Sequence, residues 1–338
     1  MAKKLTSQSV WLFLLISMVG LAPAQSYTVT DLGSLGGSSG ATAINSSGEV
    51  VGYSNTTVPE ETHAFYWTPT GGMVDMGTLG GNSSQAFGIN SQGFIVGGSN
   101  ETDNASEVPF IWASNGLFHA LGSNGAAYGI NDRGQITGVA GNNQDAFVWT
   151  KSGGRVGIGT LGGTNTSPYA ISQQGRVVGY SWIAGNTAYH AFVWGPSIGM
   201  IDLGTLGGLN SYGLGINKSV QVVGWATVPG DNFPYHAFFW SKPTGMLDLG
   251  TLGGSESLAF SISDGGTVVG ASDIAGDSAL HAFLWTASAG LQDLNNLIPQ
   301  NSGWVLASAN ATNKAGQIVG NGTYNGNIHA FLLTPVAR

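Results

Sequence analysis

The chain has 338 residues, 55 of them glycine, with 8 % charged residues and no cysteine. Glycine at this density excludes a helical domain, since it is among the poorest helix formers, and the missing cysteine excludes disulfides and zinc–thiolate sites. Acidic residues outnumber basic ones 18 to 10, so nucleic acid, which demands clustered Lys and Arg, is not an expected partner.

The first element is a targeting segment. Lys3 and Lys4 precede an apolar run over residues 10–21, and Ala22-Pro23-Ala24 has the small-x-small pattern of a cleavage site. This predicts a signal peptide over residues 1–24 and a mature chain over 25–338. The product is expected to be secreted, either extracellular or periplasmic. No other segment approaches the roughly 20 apolar residues of a membrane helix, so no membrane span is expected in the mature chain. Its eight basic residues stand against 18 acidic ones, a net charge of −10.

The mature chain opens with "YTVTDLGSLGG" from Tyr27, a strand with no partner before it. Then "AINSSGEVVG" at Ala43 recurs as "GINSQGFIVG", "GINDRGQITG", "AISQQGRVVG", "GINKSVQVVG", "SISDGGTVVG" and "ATNKAGQIVG". Counted from Asn45, Asn90, Asn131, Ser172, Asn217, Ser263 and Asn313, the steps are 45, 41, 41, 45, 46 and 50 residues. Each of the seven copies reads as four short strands. Strand A ends at the "IN" pair, and a tight x-x-Gly turn leads to strand B, "VVGY"-like. A variable polar loop precedes strand C, "HAFLW", and a Gly/Pro/Ser turn leads to strand D, "GMLDLGTLGG".

Four short strands in a unit of this length are the signature of propeller blades. The seventh copy ends after strand C, "HAFLL", and lacks a strand D. The orphan strand at Tyr27 supplies one. The expected fold is all-β: a seven-bladed β-propeller with four-stranded antiparallel blades, a single domain closed by the N-terminal strand and monomeric. Closure removes the two exposed sheet edges an open array would carry.

"HAF" stands at His63, His190, His236, His281 and His329, and "DLGTLGG" at Asp202 and Asp248, with variants at Asp31 and Asp75. In these triplets the chain resembles the HAF-repeat family of extracellular proteins over essentially its whole mature length. The resemblance implies a repeat architecture and an exported location, and no defined activity. Copies two and three depart from it with "VPF" at Val108 and "DAF" at Asp145.

The histidine is paired with an aspartate twelve positions on: His63 with Asp75, His190 with Asp202, His236 with Asp248, and His281 with Asp293. Ring closure would deliver Asp31 to His329. Copies two and three lack both members, holding Val108 with His119 and Asp145 with Gly157. Joint presence and absence predicts that the two side chains meet. Five equivalent dyads make a strange enzyme, and zinc needs three or four ligands converging on one point. A structural role is expected, since buried polar groups must be paired.

Trp67, Trp112, Trp149, Trp194, Trp240 and Trp285 share one column with Leu333, and core packing is expected there. Trp182, Trp225 and Trp304 fall outside it and are candidate aromatic binding platforms. The eight basic residues map to A–B and C–D turns or the chain end. The B–C and D–A loops carry Glu60, Glu61, Glu101, Asp103, Glu107, Asp145, Asp231, Glu256, Asp273 and Asp277, with no Lys or Arg. This predicts a disc with one acidic face, which would attract cations or a basic partner. No metal site or cofactor is predicted, since no D-x-D-x-D-G loop is present; weak calcium binding by the loop carboxylates is the one candidate.

The expected function is non-enzymatic: a binding, interaction or surface-associated structural propeller that meets a protein or glycan partner on its acidic face. The alternative is a secreted carbohydrate-active enzyme, a glycoside hydrolase or polysaccharide lyase, with its site at the funnel. Such an enzyme needs two carboxylates roughly 5–10 Å apart. The axis-lining strand A columns contain no Asp, Glu, His or Lys, so no catalytic residue is predicted.

Overall fold

The structure, a computed structural model, describes residues 25–113, 118–141, 145–230 and 234–337. The signal segment, Asp231 and Arg338 lie outside the described residues.

The described residues form 28 strands and one short 3-10 turn, Leu294–Asn296. After β1 (Tyr27–Asp31), the first copy contributes β2 (Ser39–Ile44), β3 (Val50–Asn55), β4 (Thr62–Thr68) and β5 (Gly72–Gly77). The second gives β6 (Gly80–Ile89), β7 (Ile95–Glu101), β8 (Glu107–Trp112) and β9 (Phe118–Ala120). The third gives β10 (Ala126–Ile130), β11 (Ile136–Ala140), β12 (Asp145–Thr150) and β13 (Gly154–Gly157). The fourth gives β14 (Gly162–Ile171), β15 (Val177–Ile183), β16 (Tyr189–Gly195) and β17 (Gly199–Asp202). The fifth gives β18 (Ser211–Ile216), β19 (Val222–Thr227), β20 (Tyr235–Ser241) and β21 (Gly245–Asp248). The sixth gives β22 (Gly253–Ile262), β23 (Val268–Ile274), β24 (Leu280–Thr286) and β25 (Gly290–Asp293). The last gives β26 (Trp304–Thr312), β27 (Ile318–Tyr324) and β28 (Asn327–Pro335).

Within each copy the strands pair antiparallel in sequence order. Copies one and two join into one eight-stranded sheet through a single parallel pair, Thr62 with Ser83. The last sheet has the order β1-β28-β27-β26, with Tyr27 opposite Pro335 and Asp31 opposite Phe331. One core cluster unites Leu32, Ala41, Val50 and Phe65 with Val319, Ala330 and Leu332, from opposite ends of the chain.

The repeated motifs have local causes. At the A–B turn, Asn45 Oδ1 accepts from the backbone N–H groups of Ser47 and Glu49, both at 3.0 Å. Gly48 takes φ +82° there, a conformation that a Cβ disfavours. Val220 occupies the same turn position in copy five with φ +58°, an outlier for a β-branched residue.

The phenylalanine of "HAF" is the centre of the core. Phe65, Phe110, Phe192, Phe238, Phe283 and Phe331 are fully buried. Each faces the glycine of "VVG" across the B–C ladder: a Cβ at Gly52 would lie 2.9 Å from the Phe65 ring and one at Gly270 2.7 Å from Phe283. The glycine is there to admit the ring. The tryptophan column packs beside it, with Trp67 buried and Trp112, Trp149, Trp194, Trp240 and Trp285 half-buried against neighbouring clusters.

Candidate binding face

All five histidine–aspartate pairs come together. The aspartate sits two positions along the C–D ladder from the histidine, opposite the core phenylalanine, as Asp202 lies opposite Phe192. Long side chains at such diagonal positions reach one another. His63 Nδ1 lies 2.9 Å from both Asp75 oxygens. His190 and His236 each stand 2.8 and 3.0 Å from the two oxygens of Asp202 and Asp248. His281 Nδ1 lies 2.7 Å from Asp293, and His329 Nδ1 lies 3.0 Å from both oxygens of Asp31.

The pairs are partly buried. The imidazoles retain 14–24 % of their exposure and the carboxylates 16–44 %, because strands C and D are the outermost of each unit. The same carboxylates cap the following corner. Asp75 Oδ1 accepts from Gly77 N at 2.7 Å, and Asp202 Oδ1 from Gly204 N at 2.8 Å. The pair thus ties the C–D hairpin to the "LGG" corner.

The deeper polar fasteners are serines and asparagines. Ser84 Oγ accepts from Ala64 N at 2.8 Å and donates to Gly77 O at 2.6 Å, bridging copy two to copy one. Ser211 and Ser257 repeat this, and Ser39 does so to Ala330 and Gly33. The turn asparagines hand a hydrogen bond to the next copy: Asn45 Nδ2 to Asn90 O at 3.1 Å, Asn90 to Asn131 O at 3.2 Å, and Asn313 to Asn45 O at 3.0 Å. Only the repetition of Ser and Asn at fixed columns signals this in the sequence.

One side chain from the first strand of each copy (Thr42, Phe87, Tyr128, Tyr169, Leu214, Phe260 and Asn310) lines a cavity of about 250 Å³. Its lining includes none of the A–B turn residues, which border a separate cavity of about 380 Å³ with Asn45, Asn90 and Asn313, so it lies on the side away from those turns. From it a path of touching rings runs outward. Phe87, Tyr128 and Tyr169 follow one another at 5.4 and 5.5 Å. Tyr169 meets Tyr180 at 6.1 Å, Tyr180 meets Tyr212 at 4.3 Å, and Tyr212 stacks on Trp225 at 4.1 Å. Trp225 touches Tyr235 at 5.1 Å, and Trp182 meets Tyr189 edge-on at 5.2 Å. These rings are half-buried.

Of the three candidate tryptophans, Trp182 and Trp225 therefore join this path. Trp304 does not. It is buried in the core, stacked on Tyr324 at 4.9 Å and edge-on to Phe331. Its strand register puts it opposite Tyr324, so it packs inward rather than offering a platform.

The acidic loops border the path. Burial first, then the Glu256 and Asp273 carboxylates, push the Tyr235 hydroxyl above its ordinary range. Asp273 is itself raised by burial and by Asp277 and Glu256. Glu107, an exposed residue whose carboxyl end folds over Gly98, is raised by burial. Other candidate carboxylates are occupied locally. Asp103 caps Ala105 and Ser106, which holds its carboxyl below the usual range. Glu61 accepts from Thr56 Oγ1 at 2.5 Å and lies 3.4 Å from His63 Nε2. Asp277 accepts from Ser255 N at 2.7 Å, a tie that Asn104 and Asn186 make in copies two and four. Glu60, with φ +63° in its loop, and Glu101, the last residue of β7, remain exposed. No group of three or more His, Asp or Glu placed to share a metal ion occurs among the described residues.

The A–B turns carry acidic residues beside the basic ones. Asp132 and Asp264 stand at A–B turns, and Asp264 lies 3.6 Å from Lys218 Nζ. Arg155 starts near the C–D turn, but its guanidinium lies 5.8 Å above the Phe147 ring and shares a cleft of about 430 Å³ with Asp145. The missing histidine–aspartate pair of copy three leaves room for that reach.

No family model matches the chain, and no curated protein does. Solved structures do. Virginiamycin B lyase from Staphylococcus aureus aligns over 93 % of this chain and all of its own at 11 % identity and a TM-score of 0.59. The β-propeller domain of the Trilobed protease from Pyrococcus furiosus aligns over 89 % of this chain and 98 % of its own, at 7 % identity and 0.56. The chain spans 64 % of the length of TolB from Acinetobacter baumannii, at 13 % identity and 0.49. No helix among the described residues is long and apolar enough to cross a membrane. At these identities the likeness concerns the fold alone, which is a β-propeller.

Proposed function

We propose that the chain is an exported, non-enzymatic binding propeller of the HAF-repeat kind. Its seven blades close into a ring, and its partner, a protein or a glycan, meets the B–C/D–A face. The pairing of β1 with β28 and the hydrogen bond from Asn313 to Asn45 support closure. The one-per-copy lining of the axial cavity supports the blade number. The signal-like segment supports export.

The observation that carries the binding reading is the aromatic path, bordered by Glu107, Glu256 and Asp273, on the face where loop length and sequence vary. Binding sites concentrate on such variable loops held by a rigid scaffold. The axial cavity is lined by no carboxylate pair of the kind glycoside hydrolysis uses.

The test is an array of glycans and peptides probed with the mature chain, with and without calcium, against a variant with Trp225→Ala, Glu256→Gln and Asp273→Asn. A ligand bound by the wild type and lost by the variant supports the reading. Undiminished binding, or turnover of a bound glycan, overturns it.

A further inference from the structure

Four aromatic side chains, Phe87, Tyr128, Tyr169 and Phe260, line the axial cavity, and no charged residue lines it. The first three are in ring contact at 5.4 and 5.5 Å, so the aromatic wall is continuous over three copies. Two polar groups in the same wall already have partners. Thr42 Oγ1 donates to Ala86 O at 2.6 Å, and Asn310 Nδ2 donates to Ala41 O at 2.8 Å. The remaining polar groups in the wall are the Tyr128 and Tyr169 hydroxyls, and the rest of the lining is ring and aliphatic carbon.

That composition discriminates among ligand classes. An anion finds no cation in the wall, a bare metal ion finds no carboxylate, and a polyol finds few donors. An organic cation finds several ring faces, whose quadrupoles are negative. The surroundings favour positive charge as well. Glu107 lies near enough to Tyr128 to oppose its ionisation, and Glu256 and Asp273 border the far end of the aromatic path.

We propose that the axial cavity is an aromatic cage for an alkylated ammonium group. The inference rests on the binding reading above and names a ligand chemistry for it. The ammonium enters from the loop face, its alkyl groups against Phe87, Tyr128, Tyr169 and Phe260. The rings supply attraction that an uncharged group of the same shape does not receive.

Calorimetric titration of the mature chain with choline, and with its uncharged isostere 3,3-dimethylbutan-1-ol, tests this. Choline should bind, and the isostere should bind roughly tenfold more weakly or not at all. Tyr169→Leu keeps apolar bulk but removes a ring face, and should weaken choline roughly two- to fivefold. Tyr169→Phe keeps the face and should keep the affinity, which separates ring loss from misfolding. Equal binding of choline and isostere overturns the proposal, as does no choline binding. Choline affinity unmoved by Tyr169→Leu and Phe260→Leu also overturns it. Failure here with a positive array result discards the cage and leaves the binding face; failure of both discards the binding reading.

Discussion

His329 and Asp31, 298 positions apart in sequence, face each other with Nδ1 3.0 Å from both carboxylate oxygens. The contact reproduces between the two ends of the chain what His190 and Asp202 make within one hairpin. The N-terminal strand thus occupies the strand D position of the last copy side chain for side chain. Removing residues 25–33 should expose the edge of β28 and open the cluster that holds Leu32 against Leu332. The expected outcome is a large drop in melting temperature by calorimetry. An unchanged transition would mean that β1 is an ornament and that the proposed closure is wrong.

The five pairs should not be equal in energy. His281 and Asp293 retain 19 and 16 % of their exposure, whereas Asp202 retains 43 %. His281→Ala should cost about 1–2 kcal/mol, because it leaves a half-buried carboxylate short of a partner. His190→Ala should cost less than about 1 kcal/mol, as exposed pairs do. Urea unfolding of the two variants measures the difference, and the reverse order would refute the burial argument.

The inter-copy serines should matter more than the histidines. Ser257 is fully buried, and its hydroxyl serves both Ala237 N and Gly250 O. Ser257→Ala leaves both unpaired and should cost about 1–3 kcal/mol. Ser255, two residues away, bonds Asp277 through its backbone N, so Ser255→Ala should unfold at the wild-type urea concentration. Equal midpoints for Ser257→Ala and wild type would exclude the serine as a fastener.

Asp273 gives a pH test. Its folded-state carboxyl is raised by burial and by Asp277 and Glu256. The native state therefore holds that proton more tightly than the unfolded chain. Its stabilising effect is complete below the unfolded value and is lost as pH rises through the folded one. Asp273→Asn should melt higher than wild type at pH 7, and the gain should vanish near about pH 3, where the aspartate is protonated. A gain that persists in acid would point to packing rather than charge.

Much of the architecture was legible because it is local. The twelve-residue spacing of His63 and Asp75 spans one hairpin, whose antiparallel register alone brings the two side chains together. The glycine of "VVG" and the phenylalanine of "HAF" are likewise set by neighbouring strands within one copy. Repetition then made each local rule visible several times over.

What depends on one copy meeting the next was not legible. Ser84 and Ser257 look like ordinary strand residues until adjacent sheets place a backbone N–H and a carbonyl within reach. Trp225 and Trp304 have the same chemistry, yet Trp225 stacks on Tyr212 in the half-buried path and Trp304 on Tyr324 in the core. The aromatic path gathers Phe87, Tyr128, Tyr169 and Tyr212 from four copies. Periodicity assigns a residue to a strand and a face, because the pleat alternates every residue. The distance between side chains of different sheets is set by how those sheets pack, and that was decided only in three dimensions.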